Sequence, residues 1–228
     1  MPRTVSPVLS LRAHGPFACF TRPELKVERV SYPVMTPTAA RGLFEAILWK
    51  PAIRWYVVRI HVLNPIAFIT LRRNEVDKKA VAPPASVIAN GGPPPALLIE
   101  DSRVQRNTVA LRDVDYVVEA QFELTDQAGS EDNVTKFVEM FQRRLAKGQR
   151  FHQPYFGCRE FVAHVEPAPE KFQPIPVTKD LGRMLYEIEY NGASKKCFRP
   201  MFFSAHLNQG TLCTPWLEKF AAGKEIYS

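Results

Sequence analysis

The chain has 228 residues, 46% of them hydrophobic, enough to bury a substantial core in one large domain or two small ones. Lys and Arg total 30 against 23 Asp and Glu, a net charge of +7; this favours a polyanionic partner, although a merely solvated basic surface has the same composition. No apolar run approaches the roughly 20 residues of a membrane-spanning helix, and Met1 to Leu11 is too short and Pro-interrupted for a signal peptide, so the expectation is a cytoplasmic protein away from membranes.

Pro7 to His14 alternates as a first strand, Leu9 and Leu11 on one side and Val8, Ser10 and Arg12 on the other, ending at Gly15-Pro16. The next stretch, FACFTRPELKVERVSY, interleaves Arg22, Lys26 and Arg29 with Phe17, Phe20 and Tyr32 in extended chain, a first candidate basic surface. Thr36-Pro37 opens a helix, because a Thr cap followed by Pro in the first turn satisfies free amides without losing a bond. Ala40, Leu43, Phe44 and Ile47 then mark its core face, and Pro51 stops it, just after Lys50. Ile53 to Leu63 reads as a strand with at least one buried face, paired with a second strand, IAFITLRR, that ends in Arg72 and Arg73.

Residues 77–96 carry Pro83, Pro84, Gly91, Gly92 and Pro93 to Pro95, which predict a long irregular insertion. RVQRNTVALRDVDYVVEAQFEL reads as two strand-like stretches around Asp113, folded as a hairpin. Ser130 to Asn133 then supplies a cap, and Val134, Phe137, Val138, Phe141 and Leu145 form the buried stripe of a helix closing at Gly148. At about 100° per residue, Lys136, Arg143 and Lys147 share its opposite side, continued by Arg150. Arg159 to Glu166 is a further strand. After the Pro-rich link EPAPEKFQPIP come LGRMLYEIEY, PMFFSAHL and a turn at residues 208–210.

The order predicts an α+β fold: an RRM-like, ferredoxin-like N-terminal domain with an elaborated hairpin over 1–168, and a small antiparallel β-sheet domain over 169–228. The four cysteines, Cys19, Cys158, Cys197 and Cys213, are far apart and read as reduced, buried thiols.

The chain has no HExxH, paired CxxC, Walker loop, GxGxxG or GxSxG, and its acidic residues form no two-metal set, so no metal or other cofactor is expected. What remains for proton transfer is Lys136, Tyr32, Tyr155 and the histidines at 14, 61, 152, 164 and 206. His61 and His164 fall inside strands and read as core. His152, beside a Pro-containing turn, is the foremost histidine candidate.

Long ordered segments carry a family resemblance: HGPFACFTRPELKVERVSYPVMTPTAARGLFEAILWKPAIRW, LRRNEV, RDVDYVVEAQFELTD, EDNVTKFVEMFQRRLAKGQRF, FGCREF, DLGRMLYEIEY and RPMFFSAHL. Together they resemble the CRISPR-associated Cas-five proteins of the type I-C (Dvulg) subtype. The resemblance implies metal-independent endoribonuclease cleavage of CRISPR repeat RNA, retention of the 5' handle of the mature guide RNA, and a place beside the backbone and large subunits of a surveillance complex. It makes Lys136 a catalytic candidate, with Tyr32 and His152, singled out above for proton transfer, as the candidates for the remaining acid–base function. Arg22, Lys26, Arg29, Lys50, Arg72, Arg73, Arg143, Lys147 and Arg150 become the RNA-binding candidates. Family members use a Tyr before the Trp-Lys-Pro that ends the first helix and a Lys-His pair in the second; here those positions are Leu48 and Lys136-Phe137. The departure raises an alternative, a non-catalytic guide-binding subunit of the same complex. Basic character also permits duplex DNA as a partner.

Overall fold

The computed structural model describes residues 5–25, 27–93, 96–190 and 198–216. The first alternating segment forms β1, Leu9–Ala18, with Leu9, Leu11 and Ala13 turned inward. It continues through Gly15-Pro16, where the sequence predicts a stop. Its second partner strand reaches only Leu11 to His14, so the proline falls on a stretch with one neighbour, where a missing N–H is tolerated. Beyond the end of β1, the described part of the extended basic stretch contains one short strand, β2, Arg29–Val30.

The helix α1, Pro37–Ile47, starts where the sequence places it, with the Thr36 hydroxyl accepting from the Ala39 N–H at 3.4 Å. It ends at Ile47, before Pro51, and Leu48 caps it in extended conformation. Strand β3, Ile53–Val62, is buried along nearly its whole length, whereas β4, Ala67–Val76, alternates half-buried and exposed. β4 does not pair with β3 as expected. Its partner is β5, Arg103–Leu124, a single strand of 22 residues. The expected hairpin break at Asp113 is only a positive φ of 51°, because the alternation on either side lets one strand change partners there. Residues 103–112 pair with β4, and the remainder runs between β1 and β3. The insertion therefore joins the two arms of a β4–β5 hairpin. It contains a short helix, α2, Ala85–Ala89, in the run free of Pro and Gly that follows Pro84.

Helix α3, Val134–Ala146, is capped by Asn133, whose side-chain oxygen accepts from the Lys136 N–H at 2.9 Å. Strand β6, His164–Pro167, pairs antiparallel with β1. The order β1-α1-β3 and β5-α3-β6, with strands arranged β6-β1-β5-β3 and every neighbour antiparallel, is the ferredoxin-like split βαβ topology of an α+β fold. The C-terminal strands β7, Lys179–Tyr190, β8, Phe198–Asn208, and β9, Thr211–Cys213, continue the same sheet, since β9 pairs with both β8 and β3.

Between the helices and the sheet lies an aromatic cluster in which Phe44, Trp55, Phe122 and Phe141 approach with ring centroids 5.0–5.4 Å apart. Phe137 meets Phe122 edge-on at 6.2 Å. Burying each such ring stabilises the fold by roughly 1.5–3 kcal/mol. No helix among the described residues is long and apolar enough to cross a membrane.

Two burial expectations need correction. His164 is exposed and stacks on His14 at 5.5 Å, because Ala163 and Val165 take the inward positions of the alternation. Cys213 is exposed for the same reason, with Leu212 turned inward, while Cys19 is buried and Cys158 half-buried. Cys197 lies outside the described residues.

Candidate functional site

On α1, Thr38, Gly42 and Glu45 follow at helical spacing on a face separate from the core stripe, and Trp49 lies just beyond the helix end. Among the described residues, three depressions lie side by side between that face and the 151–159 segment. The first, about 290 Å³, is lined by Thr21, Thr38, Gly42 and Tyr155. The second, about 310 Å³, is lined by His152, Gln153, Tyr155 and Arg159. The third, about 230 Å³, is lined by Glu45, Trp49, Phe151 and His152. Tyr155 joins the first to the second and His152 the second to the third, making one groove.

Backbone bonds hold its far wall. Three successive carbonyls at the end of α1 accept from three other segments: Ala46 from the Phe151 N–H at 2.7 Å, Ile47 from Arg144 at 3.1 Å, and Leu48 from the Trp55 indole at 2.9 Å. The loop carrying Tyr155 is pressed onto the end of β1, where the Cys19 N–H donates to the Phe156 carbonyl at 3.1 Å. Only glycine fits at 157: its φ is +77°, and a Cβ would lie 2.1 Å from the Cys19 carbonyl oxygen.

The groove holds titratable groups. The His152 Nδ1 is 3.1 Å from the Gln153 carbonyl oxygen, and its ring centroid is 6.2 Å from that of Tyr155. Glu45 pairs with Arg41 at 3.3 Å, and Arg41 also reaches Glu187. Burial holds the Glu45 carboxyl above its ordinary pKa against the opposing pull of Arg41.

The other sequence candidates are dispersed. Lys136 is exposed and bonds Asp132 at 2.8 Å, while Lys50 adds its positive charge near the same carboxylate, linking the first turn of α3 to the chain leaving α1. Tyr32 is 1% exposed, its ring lies 4.8 Å beneath the Arg22 guanidinium, and burial raises the pKa of its hydroxyl. Arg22 also lies 3.5 Å from Glu24. Arg29 and Arg73 both bond Glu160, at 2.9 and 2.7 Å. The Arg150 guanidinium donates to the Val165 carbonyl. Arg72, Arg143 and Lys147 are exposed and carry no ion pair among the described residues, and Lys26 lies outside those residues. Leu48 and Phe137 are core, at 0% and 2% exposure.

Sequence reasoning missed Glu45, Trp49, Phe151 and Arg159. The helical spacing of Thr38, Gly42 and Glu45 marks a second face beside the apolar one, but nothing in that spacing tells a groove from solvent. No group of three or more His, Cys, Asp or Glu side chains converges as a metal set among the described residues.

Residues 8–202 of this ferredoxin-like chain match the CRISPR-associated protein (Cas_Cas5) family, and the chain belongs to it. It is 44% identical over 217 residues to the CRISPR pre-crRNA endoribonuclease Cas5d of Mannheimia succiniciproducens, a match covering 91% of this chain and 94% of that one. It is 41% identical over 234 residues to the protein of the same name from Thermus thermophilus, covering 96% and 94%. These matches bear out the resemblance to type I-C Cas-five proteins. A solved structure of a CRISPR-associated protein shares the fold, with a TM-score of 0.68 at 20% identity over 96% of this chain and 97% of that one.

Proposed function

We propose that the chain is an endoribonuclease that cuts CRISPR repeat RNA without a metal ion and keeps the 5' handle of the mature guide. The observation that carries this reading is the 44% and 41% identity, over nearly the whole chain, to two proteins named for pre-crRNA cleavage. The groove supplies suitable chemistry. A ribose 2'-oxygen attacks the adjacent phosphorus, the bond from phosphorus to the 5'-oxygen breaks, and a 2',3'-cyclic phosphate and a free 5'-hydroxyl result. His152 takes the 2'-hydroxyl proton, since an imidazole can accept and return a proton near neutral pH. Tyr155, in the same depression, returns a proton to the leaving oxygen, and Lys136 and Lys50, which line none of the three depressions but gather at Asp132, offset the charge of the bound phosphate chain. Tyr32 is buried, so its part is support beneath Arg22.

A second reading rests on Leu48 and Phe137, both core residues where family members with an assigned site carry Tyr and His. On this reading the chain binds the guide and its neighbours, the backbone and large subunits, without cutting.

One experiment separates the two: the purified protein is incubated with its cognate repeat hairpin in EDTA. The first reading expects a single site-specific cut ending in a cyclic phosphate, slowed about 100- to 10,000-fold by His152→Ala or Lys136→Ala. Tight hairpin binding with no cut in the wild type establishes the second reading. Duplex DNA competing as well as the hairpin argues for a general polyanion binder.

A further inference from the structure

Trp49 and Phe151 are the least explained residues of the groove. Trp49 is 50% exposed and Phe151 61%, and their rings stack on each other at 5.9 Å and 25° instead of packing into the core. Large aromatic rings left open to solvent forgo the stabilisation that burial brings, so their position calls for an occupant. They come from segments about a hundred residues apart and are brought together by the Phe151 N–H bond to the Ala46 carbonyl. The pair flanks the 230 Å³ depression, whose other walls are Glu45 and His152.

We infer that Trp49 and Phe151 form a stacking platform for one unpaired nucleobase of the bound RNA, with Glu45 and His152 facing its edge. This rests on the proposed RNA-binding function and adds to it the site where a single base is held. A base needs a flat apolar face to stack on, hydrogen-bonding groups at its rim and cations nearby for its phosphates. All three are present. The rings supply the face. The Glu45 carboxyl accepts from an exocyclic amine, or donates when protonated, a form that its burial favours. Lys50 follows Trp49 directly and lends its charge to Asp132, the carboxylate that Lys136 bonds. A protein partner is the other occupant that two exposed rings could take. The combination of titratable groups at the rim and cations alongside fits a nucleotide better, because protein-contact cores are depleted of charge.

The test places 2-aminopurine at each unpaired position of the repeat RNA in turn and titrates the full chain. One position is expected to be quenched on binding. Trp49→Ala and Phe151→Ala are each expected to abolish that quenching and weaken binding about 5- to 150-fold, the loss of one base–aromatic stack. Trp49→Phe keeps most of both, and guards against misreading a folding defect. Normal RNA affinity with no quenched position overturns the platform and leaves the RNA-binding reading standing. Quenching that survives both alanine variants overturns it too, as does a Trp49→Ala chain that keeps the quenched base but no longer associates with its neighbouring subunits. No binding of the repeat RNA by the wild type removes the RNA-binding reading along with the platform.

Discussion

Lys136 and Phe137 are neighbours in sequence with opposite surroundings. The lysine bonds Asp132 in solvent, while the phenylalanine closes the aromatic cluster against Phe122. Phe137→Ala should therefore cost about 3–5 kcal/mol of stability, the range for truncating a buried aromatic. Lys136→Ala should leave the urea midpoint essentially unchanged, so that any loss of cleavage is chemical. Equal midpoints for the two variants would contradict this division. Phe137 could be read from its place in the apolar stripe, and His152 from the turn beside it. Glu45 could not, because a polar residue on a helix face looks the same whether it meets solvent or a groove. Arg41, its i,i+4 ion-pair partner, also reaches Glu187, 142 positions along the chain from Glu45.

Among the elements, α1 and α3 were legible because their signals are local: Thr36 and Asn133 cap them, and spaced apolar residues define their inner faces. Strand pairing is not local. The alternation that reveals β4 and β5 says nothing about which strand each will meet, so it neither pairs β4 with β5 nor shows that residues 103–124 form one strand. The β3–β5 ladder also sets up an electrostatic dependence. Glu119 lies 3.4 Å from the His61 Nε2 and 2.7 Å from Arg59, and these partners, His61 foremost, lower its pKa. A depressed folded-state pKa gives stability that is fully present above the ordinary carboxylate value of about 4.3 and is lost as pH falls through the lowered value. Glu119→Gln should consequently lower the melting temperature at neutral pH, with the gap to wild type closing toward acid pH. A gap that does not change with pH would refute the assignment.

The strand order and the groove belong to the whole molecule. The groove is assembled from β1's exit, α1 and the 151–159 segment, which no local pattern links. The chain's last strands depend on a similar long-range junction at Gly210. Its carbonyl accepts from the Val62 N–H and its own N–H donates to the Val177 carbonyl, both at 2.8 Å. A Cβ there would lie 2.4 Å from the Ile175 carbonyl oxygen, and φ is +72°. Gly210→Ala should cost at least about 1–3 kcal/mol from the backbone conformation alone. Thermal melts would measure it, and a melt matching wild type would show that the junction yields easily.

The three answered carbonyls at the end of α1 bear on how tightly the groove can hold a guest. Bonds from the Phe151 N–H, the Arg144 guanidinium and the Trp55 indole to these carbonyls fix the backbone that carries Trp49 and Phe151 before any ligand arrives. Little local freedom is then left for a ligand to remove, and more of each stacking contact is expressed as residence time on the protein.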